Sequence, residues 1–312
     1  MYNKILVTGG TGMVGKSLQK IIDNTQKYIF IGSKDLDLTN LSDTQQFFDK
    51  IRPDAVIHLA AVVGGLFYNI KNNVKLLDIN TRINLNITRV CVEYNVKKVI
   101  LVNSTCSFPE ISKSYPMTEK DIHNGPVHNT NEGYGMSKRI LEVVGRLYNQ
   151  SSDTKFINVY PCNLYGPGDN FDINSSHVLS SLIHKIHEAK YKKHDLTLWG
   201  TGNSLRQFLY VDDFSRLLIM VLNLDYFYDE NIIMCNTDDE LSINDLANRI
   251  KNIIGFEGNI VHDITKNDGI YRKTVSNHLL KNIFPDFMFT PLNIGIEKTY
   301  DYFIKEISNK IN

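Results

Sequence analysis

The 312-residue sequence has four cysteines, no apolar run approaching the length of a membrane span, and no excess of either charge. Each scarcity excludes something. Cys91, Cys106, Cys162 and Cys235 are scattered without metal-ligand spacing, so neither a disulfide scaffold nor a metal centre is expected, and the four read as thiols in a reducing compartment. Lysine plus arginine equals aspartate plus glutamate at 34 each. No basic stripe or polybasic tail therefore invites nucleic acid or a membrane surface. The first strand-like run begins at residue 4, leaving no room for a signal peptide, and a soluble, cytoplasmic protein is expected. Neither an internal repeat nor a low-complexity linker interrupts a length suited to one large α/β domain or two closely joined ones.

What is present begins at the N-terminus. Lys4-Ile5-Leu6-Val7 is a short apolar run that ends in Thr8-Gly9-Gly10-Thr11-Gly12-Met13-Val14-Gly15, and Val14, Leu18, Ile21 and Ile22 then recur at helical spacing. That pattern predicts strand, glycine turn, helix. Gly9, Gly12 and Gly15 fit Gly-x-x-Gly-x-x-Gly, and Gly10, Gly12 and Gly15 equally fit Gly-x-Gly-x-x-Gly. Such a turn lets the backbone approach a pyrophosphate and aims a helix N-terminus at the anion. A second strand, Tyr28–Ile31, is followed by Gly32-Ser33-Lys34-Asp35, where the adenosine ribose lies in such folds. Small Ser33 and cationic Lys34 suit a 2′-phosphate, so NADP(H) is favoured over NAD(H). Asp35 lies near the expected place of the acidic residue of NAD enzymes, and a one-residue shift of the strand end would reverse the reading. Asp37 is read as an acceptor for the adenine amino group.

Further strands are predicted at Ala55–Leu59, Lys98–Val102 and Phe156–Tyr160, each spaced from the next by enough chain for a helix. This is the rhythm of a Rossmann-type, doubly wound parallel sheet. The alternation weakens after Tyr165. The expectation is an α/β protein with a dinucleotide-binding domain over residues 1–165, later returns to its sheet within 204–238 around Phe208–Val211 and Ile232–Cys235, and a smaller C-terminal substrate-binding domain from 166–203 and 239–312.

Tyr134 and Lys138 stand four apart in Gly133-Tyr134-Gly135-Met136-Ser137-Lys138, so on a helix they share a face and the ammonium can favour the phenolate. Ser104, beyond the strand ending at Val102, supplies a second hydroxyl for a substrate ketone. Ser104, Tyr134 and Lys138 thus read as a set for hydride transfer to a carbonyl. Cys106, two residues on, is on position alone as good a packed thiol as a base. Paired with His177 it gains weight, because a thiolate can remove a proton α to a ketone while an imidazolium on the other face returns one.

Together with Leu59-Ala60-Ala61 and Asn163-Leu164-Tyr165-Gly166-Pro167, these features resemble the extended short-chain dehydrogenase/reductase family of nucleotide-sugar enzymes. Stretches such as Ser104–Pro109, Gly168–Phe171, Trp199–Asn203 and Thr265–Gly269 are similar to the branch that epimerises GDP-4-keto-6-deoxy-D-mannose at C3 and C5 and then reduces C4. By that resemblance, Cys106 and His177 are the epimerase base and acid. Gly9 to Gly15, Leu59, Ala60, Ala61, Tyr134, Lys138, Pro161, Asn163, Leu164 and His177 adjoin the cofactor. Lys185, Trp199, Arg206 and Asp268 hold the GDP-sugar. The resemblance further implies a homodimer through helices around Asn80–Tyr94 and Ser137–Tyr148. Cys162 and Ser176 depart from the usual threonine and glycine of this branch. A 4,6-dehydratase or 4-epimerase is the nearest rival, although Cys106-Ser107 stands where dehydratases place an Asp-Glu pair; a non-catalytic NADP(H)-sensing protein is a more distant one.

Overall fold

The computed structural model describes residues 2–23, 25–224, 231–236, 240–266 and 268–311. In chain order the elements are β1 (Ile5–Thr8), α1 (Met13–Ile21), β2 (Tyr28–Ile31), α2 (Leu41–Ile51), β3 (Ala55–His58), α3 (Leu66–Lys71), α4 (Asn73–Glu93), β4 (Lys98–Val102), α5 (Glu132–Ser151), β5 (Lys155–Pro161), β6 (Asn163–Tyr165), α6 (Val178–Lys192), β7 (Leu196–Trp199), β8 (Leu205–Arg206), β9 (Phe208–Tyr210), α7 (Val211–Leu222), β10 (Ile232–Met234), β11 (Leu241–Ser242), α8 (Ile243–Ile254), β12 (Ile260–Asp263), α9 (His278–Ile283) and α10 (Leu292–Ile311).

Six strands form a parallel sheet in the order β10-β5-β4-β3-β1-β2. The chain steps outward from β1 to β2, returns past β1 to β3, and then winds outward the other way, so the strand order reverses beside β1. Open sheets of this kind bind ligands outside the carboxyl ends of their strands at that reversal. Both faces are covered, which is why the strands are mostly apolar rather than alternating. Ile5 and Val7 pack with Leu18 of α1 and Phe214 of α7, while Leu6 and Val56 turn to the opposite layer with Phe48 of α2, Ile87 of α4 and Leu141 of α5.

The glycines of the first turn are required by contact. A Cβ on Gly15 would lie 2.3 Å from the Gly10 carbonyl oxygen, and Gly9 adopts φ +69° with its Cα against the backbone of Leu59 and Ala60. The turn can therefore seat α1 directly on β1.

A third cluster lies away from the sheet. Leu179, Ile183 and Ile186 of α6 pack with Leu196 and Leu198 of β7, Leu246 and Ile250 of α8, and Phe303 of α10. Here the structure corrects the predicted return at Phe208–Val211: β9 pairs with β6 in a separate two-stranded parallel sheet, whereas β10 joins the central sheet beside β5. Three-residue strands carry too little pattern to reveal their partners. No helix among the described residues is long and apolar enough to cross a membrane.

Phe48 is fully buried at the centre of the α2, α4 and α5 layer. Phe48→Ala is expected to destabilise the protein by about 3–5 kcal/mol, while Ile111→Ala, at an 80% exposed position, should stay within about 0.5 kcal/mol. Urea unfolding of both variants checks the contrast.

Candidate functional site

The carboxyl ends of β1 to β5 open into a cavity of about 1110 Å³ whose far wall comes from α6, β7, β8, residues 268–270 and Lys273. Gly9, Thr11, Gly12, Met13, Val14, Ser33, Asp37, Leu59, Ala60, Ala61, Ser104, Cys106, Tyr134, Lys138, Pro161, Asn163, Leu164, His177, Lys185, Trp199, Arg206 and Asp268 all line it. The volume exceeds the range of a single drug-sized ligand. Gly10 and Gly15 sit behind the wall as packing residues, Gly10 against Phe30 and Gly15 against Gly10. Lys34 is exposed and lies off the wall. Asn267 falls outside the described residues.

The dinucleotide end fits its expected occupant. Gly12 caps α1 without a side-chain hydrogen bond to the first amides, so no side chain of the cap competes with an anion there. The strand register also bears on the ribose. β2 ends at Ile31, and Asp35 turns its carboxylate back to accept from the Gly32 amide at 2.8 Å. Asp35 does not reach the cavity wall. Asp37 does, with one oxygen held by the Thr39 amide and hydroxyl.

Next to this end, β4 runs into a short turn, Thr105–Ser107, capped by Ser104, whose hydroxyl accepts from the Cys106 amide at 3.1 Å. The first turns of α5 lie against it. A Cβ on Gly135 would stand 2.6 Å from the Cys106 carbonyl oxygen, so only glycine between Tyr134 and Met136 lets the helix come this close. That approach puts Tyr134 within hydrogen-bonding reach of Ser104. Lys138, one turn on, donates from Nζ to the carbonyl of Val102 at 2.6 Å.

Enclosure governs the ionisation of these groups. Burial pushes the Tyr134 phenol well up, charge on Cys106 adds to the rise, and the Ser104 hydrogen bond opposes it. Burial also brings Lys138 down to about 8. The expected stabilisation of phenolate by Lys138 is therefore outweighed in this cavity, and Tyr134 is a neutral proton donor. Cys106 behaves differently. Burial alone would raise its thiol, but the charge of Lys273, hydrogen bonds from Ser104 and Lys273, and the charge of His177 together hold it below the ordinary value. The Lys273 ammonium lies 3.2 Å from the sulfur. Sequence reading missed Lys273, which sits in no motif; only folding brings it to Cys106.

His177 precedes α6 on the opposite wall. Its ring faces the cavity, 44% exposed, with Nδ1 3.8 Å from the carboxylate of Asp169. Enclosure would lower the imidazole, yet the nearby Asp169 carboxylate, reinforced by charge on Cys106, keeps it above its usual value. Asp169 is a second residue that sequence reading did not single out, though it stands in the noted stretch Gly168–Phe171.

Farther along, the Lys185 ammonium lies 4.2 Å from the centre of the Trp199 ring. Asp268 lines the cavity and is also bonded to the turn beside it. One of its oxygens accepts from the Thr201 amide at 2.7 Å and the other from the Thr201 hydroxyl at 2.8 Å. It holds the Gly200–Gly202 turn in shape. Arg206 donates to the carbonyls of Leu205 and Ile270.

The sequence matches the NAD dependent epimerase/dehydratase family over residues 5–232, and the chain belongs to that family. Within it, the chain is 42% identical to the GDP-L-fucose synthase of Dictyostelium discoideum, across 96% of this chain and 95% of that one. A probable GDP-L-fucose synthase of Drosophila melanogaster is 39% identical, with 97% of each chain covered. Among solved structures, the GDP-L-fucose synthetase of Naegleria fowleri bound to NADP superposes with a TM-score of 0.90 at 41% identity, covering 98% of this chain and 94% of that one.

If Asp169 is what raises His177, Asp169→Asn should make the imidazole lose its proton at lower pH than in the wild type. NMR titration of the His177 ring reads this directly, and an unchanged curve would remove Asp169 as the cause.

Proposed function

We infer that this chain acts as a GDP-L-fucose synthase, which uses NADP(H) to convert GDP-4-keto-6-deoxy-D-mannose into GDP-L-fucose by epimerisation at C3 and C5 and reduction at C4. The observation that carries the reading is two distinct proton-handling sets on one cavity: Cys106 with Lys273 and His177, and Tyr134 with Ser104 and Lys138. A reductase alone needs only the second. The dehydratase alternative needs an acid beside Ser104, and this chain has Cys106-Ser107 there.

The C4 carbonyl acidifies the hydrogens at C3 and C5. Cys106 removes each in turn as a proton, and each time His177 returns a proton to that carbon from the opposite face. Ser104 and Tyr134 hold the carbonyl oxygen by hydrogen bonds while charge builds on it. Bound in this cavity, NADPH would supply the hydride for C4. Tyr134 then gives its proton to the oxygen. Lys138, bonded to the Val102 carbonyl, would orient the ribose, and Asn163 and Leu164, on the cavity wall, would hold the nicotinamide. Lys185 and Arg206 offer cations to the diphosphate, with Trp199 as an apolar face for a ring. Proton removal strengthens as pH rises through the lowered Cys106 value. Proton return fades as pH rises past the raised His177 value, where the imidazolium is lost.

A homodimer and a cytoplasmic location belong to the same reading. Val74, Leu77 and Leu85 on α4 and Leu147 on α5 are exposed apolar residues on two adjoining helices. Sedimentation equilibrium tests the assembly, and cell fractionation the location.

Incubation with GDP-4-keto-6-deoxy-D-mannose and NADPH, followed by identification of the product sugar, tests the function. Cys106→Ser should lower exchange of the C3 hydrogen with solvent deuterium by roughly 10²–10⁴-fold. Tyr134→Phe should instead stop NADPH oxidation while exchange continues; loss of both together in a folded protein would sink the division of labour. For the cofactor, exposed Lys34, just beyond the cavity wall, is read as the cation that meets a 2′-phosphate. Lys34→Glu should weaken NADPH binding with little change for NADH, and equal losses for both would refute that reading.

A further inference from the structure

Lys273 is held in place by its neighbours. The Arg272 guanidinium pairs with Glu240, and the Thr274 hydroxyl donates to the same carboxylate. Val275 donates its amide to the buried Gln207 side chain at 2.9 Å, and residues 272 and 275 form isolated bridges with Leu205 and Met117. Alternate side chains of an extended segment point to opposite sides. Anchoring 272 and 274 on Glu240 thus directs Lys273 to the cavity wall, where its Nζ donates to Cys106 Sγ at 3.2 Å.

We propose that Lys273 is the charge partner that keeps Cys106 ionised, and so sets the pH range in which this thiol removes protons from the keto sugar. The proposal rests on the epimerase half of the function above. In the step, a C–H proton passes to Sγ, its electron pair moves into an enolate ending on the C4 oxygen, and Cys106 becomes a neutral thiol while Lys273 keeps all its protons. Lys273 acts through Cys106 as a positioning residue.

The other groups near Cys106 do not serve in its place. Ser104, on the same turn, is neutral. From α5, Tyr134 is held protonated and Lys138 is bonded to the Val102 carbonyl. Arg206, from β8, is engaged with the carbonyls of Leu205 and Ile270, and His177 faces Asp169, while Asp268 is tied to Thr201. Lys273 is the cation whose hydrogen bond to the sulfur is direct. Its charge is also the largest of the influences that outweigh burial of the thiol.

Alkylation of Cys106 by iodoacetamide, followed against pH by mass spectrometry on the full chain, tests this without any sugar. Cys91, Cys162 and Cys235 are buried, so their labelling marks an unfolded variant. Wild-type Cys106 should reach full reactivity below the pH range of an ordinary thiol. Lys273→Met should react roughly 3- to 30-fold more slowly at pH 7, lost thiolate being partly offset by greater nucleophilicity, and Lys273→Arg should recover most of the rate. Deuterium exchange at C3 should show the same displacement in pH. An ordinary thiol profile in the wild type overturns the proposal without recourse to any variant, as does a folded Lys273→Met that labels at the wild-type rate. A displaced wild-type profile lost in Lys273→Met, with no exchange of the keto sugar, would support the pairing and count against the substrate reading.

Discussion

Enclosure by protein penalises charge on every group along the cavity, and the partners each group finds decide which ones remain charged. Tyr134 has a hydroxyl neighbour in Ser104, and the Lys138 ammonium lies over its ring 5.8 Å from the centre, yet burial dominates and the phenol keeps its proton. Cys106 has Lys273 at 3.2 Å, and there the charge outweighs burial. One low-polarity pocket thus separates a proton donor from a proton acceptor, the arrangement by which acid and base roles are assigned at a common pH. His177 follows the same rule with opposite charge, since Asp169 offsets what enclosure would remove.

These partners come from distant parts of the chain. The central sheet delivers Ser104 and Cys106 at the end of β4, and Gly135 lets α5 press Tyr134 against them. The groups that tune them, Lys273, Asp169 and His177, arrive from segments beyond the regular winding. Clamping of residues 272–275 on Glu240, Gln207 and Met117 therefore serves the chemistry as much as the fold. Loosening that segment would release the thiol to the penalty of burial while leaving the Tyr134 set in place.

Much of this was legible in the sequence because it is local. The turn from Gly9 to Gly15, the strands at Tyr28–Ile31 and Lys98–Val102, and the Tyr134–Lys138 spacing each announce themselves within a few residues, and the structure places them as expected. The register behind the cofactor reading rested on where β2 ends. Ile31 is its last residue, and Asp35 bonds to Gly32. What stayed hidden was long-range. Phe208–Tyr210 read as a strand of the main sheet because three apolar residues do not specify a partner, and it pairs with β6. Lys273, in Arg272-Lys273-Thr274, looks like any surface lysine until the fold sets 167 residues of separation to a single contact.

The two halves of the proposed reaction are coupled by the same charges that separate them. Thiolate at Cys106 raises the Tyr134 phenol and disfavours loss of its proton. While the sugar awaits proton removal, the phenol is thereby kept as a hydrogen-bond donor to the carbonyl oxygen. Once Cys106 has accepted a proton, that charge is gone and the phenol becomes a stronger acid. Cys106 must give that proton up again before the second carbon is inverted, so the influence comes and goes with each removal. The charge on one group thus tunes the acidity of the other without a moving part.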